Sequence, residues 1–174
     1  MTIATNARIA GITYFVYLAA GMSSLAMAGN APGRAVAGVF ESFSALVLAV
    51  TLYAITREQD PDIALIAMLS RAIEAVPGEG FIYSAVGSLL FAWLLLRGRM
   101  IPTALAGLGV GAALLLVTQL LVQRALDGAT DWSSPVTWAA ALPMLVFELT
   151  FAVWLVTRGV NAPTRARRTS RAGP

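Results

Sequence analysis

Four ionisable residues stand inside stretches that are otherwise apolar: Glu41, Arg71, Glu74 and Glu148. A charge at mid-bilayer costs about 2.5–3.5 kcal/mol on insertion scales, so such side chains turn towards the interior of a helix bundle and mark ligand or proton-relay positions. Arg71 and Glu74 are three residues apart and share a helix face. Three carboxylates against one guanidinium (−3 against +1) suit proton exchange or a cationic ligand, because a low-dielectric interior disfavours several like charges at once. Gln119 is a neutral companion, and Tyr14 and Tyr17 add hydroxyls on a neighbouring segment.

Much chemistry is excluded by residue type. The 174 residues include no Cys, His or Lys. Disulfides, thiolate nucleophiles, imidazole bases, the usual zinc and haem ligands, Schiff bases and phosphate-loop lysines are therefore absent. No metal site and no cofactor is expected.

These residues need elements to hold them. The chain is 58% hydrophobic and 12% charged, with mean hydropathy +0.76, against about 25% charged residues in a typical soluble domain. The apolar residues come in blocks, which predicts an all-α integral membrane bundle of six transmembrane helices over about 9–28, 35–56, 62–76, 81–96, 103–123 and 136–157. Residues 1–160 read as one six-helix transmembrane domain and 161–174 as a disordered Arg-rich cytoplasmic tail. Asp60-Pro61 and Ser134-Pro135 read as helix starts, Pro77-Gly78 as a stop, and Gly78-Glu79-Gly80 as a turn. The 62–76 segment is short, and its crossing is inferred from parity. Without it the Arg97/Arg99 loop and the Arg-rich tail fall on opposite sides. Ala26-Met27-Ala28 mimics a signal-peptide cleavage site, but the run before it is too long and holds two tyrosines.

Arginine sets the orientation. Arg8, Arg57, Arg97, Arg99, Arg158, Arg165, Arg167, Arg168 and Arg171 fall on one side, and Arg34 and Arg124 on the other. Both termini are accordingly expected in the cytoplasm. Arg71 and Glu148 each lie ten residues from an element edge on that side, about 15 Å deep, which predicts an interhelical ion pair. Glu74 is expected near 20 Å, and Glu41 and Gln119 near about 24–25 Å. Arg71 can pair with Glu74 instead.

Ala10, Tyr14, Tyr17, Gly21, Ser24 and Ala28 recur at 3–4 spacing, a small or polar face that lines a pocket or packs closely. Gly107 and Gly111 form a GxxxG pair for close helix approach, inside the bundle or at a homo-oligomer face. Pro143 removes a helix hydrogen bond five residues before Glu148. The basic tail lacks aromatic interleaving, so no nucleic acid partner is expected and lipid headgroups are its contact.

Several motifs together resemble one family. They are Arg8-Ile-Ala-Gly-Ile-Thr-Tyr14, Arg71-Ala-Ile-Glu74-Ala, Gly87-Ser-Leu-Leu-Phe91, Arg99-Met-Ile-Pro102-Thr-Ala-Leu-Ala-Gly107, and Phe147-Glu148-Leu with Trp154-Leu-Val and Gly159-Val160. Over about residues 6–161 the chain resembles the DUF4386 family of small bacterial multi-pass membrane proteins. That resemblance implies a multi-helix protein of a bacterial inner membrane and no established activity.

The sequence thus points to small-molecule or proton-linked transport or binding at the Glu/Arg cluster, and leans away from an enzyme. Two alternatives stay open. One is a structural or regulatory subunit packing through small-residue helix faces. The other is a membrane enzyme acting on a lipid or isoprenoid, for which the usual acidic metal pair or His is not evident. Reporter fusions test the orientation. A fusion at the C-terminus should read cytoplasmic and one near Asp127 external; the reverse pattern refutes the arginine argument.

Overall fold

Helix starts are set by side chains that satisfy free backbone amides. In the computed structural model, which describes residues 1–27, 29–76, 80–126 and 130–162, six helices follow one another. They are α1 (Ile3–Ala26), α2 (Ala31–Thr56), α3 (Pro61–Ile73), α4 (Gly80–Arg97), α5 (Thr103–Leu126) and α6 (Pro135–Thr157). Among the described residues there is no strand. Ala28, the Pro77-Gly78-Glu79 stretch, Asp127 and residues 163–174 lie outside them.

The boundaries depart from the apolar blocks where capping overrides hydropathy. α1 begins six residues before the expected Ile9, because the Thr2 hydroxyl accepts from the Thr5 amide and carries the polar turn Thr5-Asn6-Ala7-Arg8 into the helix. α2 begins at Ala31 rather than Ala35. The Asn30 side chain accepts from the Gly33 amide, so Pro32 sits in the first turn, where its missing N–H costs nothing. α3 ends at Ile73 rather than Val76, with Glu74 as its C-cap. At 13 residues, α3 rises only about 20 Å, short of a hydrocarbon core of about 30 Å. The other five helices are long and apolar enough to cross a membrane. α6 is continuous through Pro143.

Each helix packs on the next in chain order, and α6 returns to α1, closing a circuit. The tight core fills one end of it. Ala7 and Ala10 of α1, Leu48, Leu52 and Ile55 of α2, Ala64 and Ala67 of α3, Leu94 and Leu95 of α4, and Phe151 and Leu155 of α6 are all buried there. Surface ties gather at that end. The Asp60 carboxylate caps α3 and meets Arg97 of α4 at 3.5 Å, an exposed pair worth about 0–1 kcal/mol. The Asn161 amide, in the expected tail, donates to the Met100 carbonyl at 2.8 Å. Outward faces carry the large apolar residues Val36, Phe40, Phe43, Ile66, Leu114, Leu121, Val146 and Val153. The largest fully buried side chain, by contrast, is an arginine. Apolar outside and charged inside is the partition expected in lipid.

Close approach between helices runs through other glycines than the GxxxG pair. A Cβ on Gly109 would come within 2.6 Å of the Phe147 ring, and one on Gly87 within 3.0 Å of the Ala67 carbonyl oxygen. Nothing lies within 4 Å of a Cβ on Gly107 or Gly111, so that pair faces away from the bundle. Gly109→Leu should therefore destabilise the detergent-solubilised protein by about 1–3 kcal/mol through overpacking. Gly107→Leu should stay within about 0.5 kcal/mol of the parent. Thermal melting of the two variants checks this, and equal losses would contradict the packing.

Candidate functional site

Arg71 lies in the last turn of α3 and is fully buried, with 0% exposure. Its guanidinium is met from four helices. From α1, the rings of Tyr14 and Tyr17 stand 5.5 and 5.1 Å from the guanidinium carbon, within cation–π range. From α4, Ser88 and Ser84 accept from Nη1 at 2.5 and 3.3 Å. From α6, Glu148 Oε1 lies 3.7 Å from Nη2, and Glu74 at the end of α3 places Oε2 3.9 Å from Nε. The Tyr17 hydroxyl donates to the other oxygen of Glu74. Both pairings open to Arg71 therefore exist together.

The two carboxylates compensate the charge of Arg71 without saturating its donors. At 3.7 and 3.9 Å the contacts are ion pairs rather than hydrogen bonds. Arg71 Nε and Nη2 and Glu74 Oε2 are buried with no hydrogen-bond partner. The site is a charge cluster with unfilled polar valences, and a cavity stands against it.

That cavity, about 710 Å³, fills the end of the bundle opposite the tight core. Its size falls within the usual range of small-molecule sites, about 300–1,000 Å³. α3 ends and α4 begins at this level, with Gly80 against the Glu74 backbone, while α1, α2, α5 and α6 continue, and Glu74, Ala75 and Val76 line the wall there. Glu41, Glu74, Glu148, Tyr17, Ser84 and Ser88 provide the polar surface of its deep end, and Ser24, Ser42 and one cation, Arg34, line it as well. Arg71 does not line it and stands behind Glu74 and Glu148. At the rim, Trp132 packs edge-on against Phe81 and Trp138, with centroids 4.8 and 5.6 Å away, and the Trp138 indole N–H donates to the Trp132 carbonyl. Beside them, the Ser133 hydroxyl and amide both donate to Asp131 and hold its carboxyl below the ordinary range.

Most of the residues singled out in the sequence meet here. Arg71, Glu74, Glu148, Tyr14 and Tyr17 form one cluster, and Glu41 joins it across the cavity. Gln119 does not: it is half-buried and lines no part of the cavity. The buried amide of α5 is Gln123, one turn on, which donates to Thr137 at 2.6 Å. The small face of α1 divides its roles. Ala10 and Tyr14 are core, whereas Tyr17, Gly21 and Ser24 line the cavity. Ser84 and Ser88 were not anticipated as the ligands of Nη1. Their i, i+4 spacing around Gly87, which lets α4 approach the backbone of α3, was the available signal. Among the described residues no group of three carboxylates is placed to hold a metal ion.

The family model described as "Domain of unknown function (DUF4386)" matches residues 78–159, just under half of the chain. It is the family that the motifs resemble. The match takes in Ser84, Ser88 and Glu148, while Arg71, Glu74 and the α1 tyrosines precede it. No curated protein and no solved structure matches the chain.

Removing the guanidinium leaves two buried carboxylates without their countercharge. Arg71→Ala should therefore cost about 3–5 kcal/mol, the range for breaking a buried pair. Ser88→Ala, which removes one interhelical hydrogen bond, should cost about 0.6–1.7 kcal/mol. Chemical or thermal unfolding in detergent should rank them in that order, and the reverse order would show that Arg71 does not organise the cluster.

Proposed function

We propose that this is a six-span protein of a bacterial cytoplasmic membrane that binds a small molecule in the cavity, with Glu41, Glu74 and Glu148 as its recognition and proton-exchanging groups. The observation that carries the proposal is the 710 Å³ cavity ending on carboxylates, two of which are paired with a guanidinium buried behind them. Three features support it. The carboxylates converge on one end of a largely apolar space, as polar groups do in small-molecule sites. Glu41 lines the cavity with no ion pair among the described residues. Proton gain or loss at these carboxylates links occupancy to the proton gradient without any metal or cofactor.

The arginine distribution supports the placement. The first turns of α1 run beside the last turns of α6, since a Cβ on Gly11 would touch Ala152, Leu155 and Val156. The α2–α3 and α4–α5 connections share that end through Asp60–Arg97 and Asn161–Met100. We assign this end to the cytoplasm and the cavity to the opposite half of the membrane. One observation favours a second reading, a subunit that packs through small-residue faces or self-associates: the open GxxxG edge at Gly107 and Gly111.

Gly38 provides the test, because it lines the cavity and a Cβ there meets nothing within 4 Å. The neutral fluorophore N-phenyl-1-naphthylamine should show saturable fluorescence enhancement with the protein in phosphatidylcholine nanodiscs, above that of empty discs. Gly38→Trp should reduce the protein-dependent signal at least tenfold with an unchanged melting temperature. Equal signals from parent and variant would overturn the binding site.

A further inference from the structure

The charge and the walls of the cavity together select a ligand class. Glu74 lines the cavity with a side chain 7% exposed, and its Oε2, buried 3.9 Å from Arg71 Nε, carries no hydrogen bond. Glu41 faces it from α2, with Oε1 3.4 Å from the position of a Cβ on Gly21, and interacts electrostatically with Glu74. Among the described residues Glu41 has neither an ion pair nor a hydrogen bond. Arg71 is already shared by Glu74 and Glu148 and has no surface in the cavity. The cation that does line the cavity, Arg34, lies seven residues before Glu41 on α2, about 10 Å nearer the rim. The deep end of the cavity is therefore negative, and an anion placed there meets carboxylates before it meets a guanidinium.

A bare metal cation does not answer this geometry, because hard cations demand several oxygen ligands and most of the wall is apolar. Leu18, Met22, Leu25, Val39, Phe43 and Leu145 form much of that wall. Met22, Val39 and Phe43 are at the same time exposed on the outside of the bundle, Phe43 by 67%. The apolar lining is thus continuous with the face turned to the bilayer. Trp132 and Trp138 at the rim supply aromatic faces that attract a cation but not an anion.

From this juxtaposition we infer that the cavity takes an amphipathic organic cation, its positive head between Glu41 and Glu74 and its apolar body against the α1, α2 and α6 wall. The inference rests on the cavity being a binding site and deepens that reading by naming what it selects.

Three isosteric probes separate the two levels: tetraphenylphosphonium, neutral tetraphenylmethane and tetraphenylborate, measured on the full chain in phosphatidylcholine nanodiscs against empty discs. Tetraphenylphosphonium should displace N-phenyl-1-naphthylamine at a concentration at least tenfold below either of the others. Glu41→Gln, which breaks no ion pair among the described residues, should remove most of that preference, read as displacement relative to the variant's own N-phenyl-1-naphthylamine signal. Equal displacement by the three probes, or displacement by none while the fluorophore still saturates, overturns the cationic ligand and leaves the binding site standing. Failure of the fluorophore as well as the probes overturns both. The displacement series on the parent protein decides the matter even if Glu41→Gln does not fold.

Discussion

A single guanidinium buried among membrane helices organises this protein. An unpaired arginine at that depth carries a large desolvation cost, and its loss would strand two carboxylates in the same environment. Four helices therefore converge on Arg71: α1 with two tyrosine rings, α3 with Glu74, α4 with two serine hydroxyls and α6 with Glu148. Gly87 makes the convergence sterically feasible, since any side chain there would strike the α3 backbone beside Arg71. Helix packing in lipid has little hydrophobic driving force between helices, so this polar junction and the close contacts around it hold the α3–α4 pair against α1 and α6.

The same junction divides the bundle into unlike halves. On the side of the termini, aliphatic and aromatic side chains from all six helices interdigitate, and Phe147 stacks on Phe151 with centroids 5.4 Å apart. On the other side α3 has stopped and α4 has only begun, while α1, α2, α5 and α6 continue around a cavity. Packed helices thus hold the charged groups in place from below, while their carboxylate faces remain open from above. A short helix followed by an acidic C-cap is accordingly a device for exposing Glu74 to a cavity while keeping Arg71 dry.

Particular residues show how far the chain could be read without its fold. Matching depths on the third and sixth apolar blocks placed Arg71 opposite Glu148, because helical rise converts residue number into depth with little error. Three-residue spacing placed Glu74 beside Arg71 for the same reason. Depth does not give rotation about the helix axis. Gln119 therefore appeared equivalent to Glu41, although Gln123 is the residue that α5 turns inward. The GxxxG spacing likewise identified a smooth edge on α5 but not its direction; Gly109, between the two, makes the close contact with α6. Ser84 and Ser88 escaped notice because a serine in an apolar helix most often bonds its own backbone, as Thr51 and Thr118 do here.

By itself the sequence determined the number of helices, their apolar character, the charge asymmetry between the two ends and the identity of the buried ionisable residues. All of these follow from composition along one dimension and from the cost of placing charge in lipid. The tertiary structure alone decided which donors of Arg71 are satisfied, that Glu74 and Glu41 share a cavity, and that the small-residue edge of α5 points away from the bundle. Those outcomes depend on the rotation of each helix and on where α3 ends, which is set by the packing of side chains from segments distant in the chain.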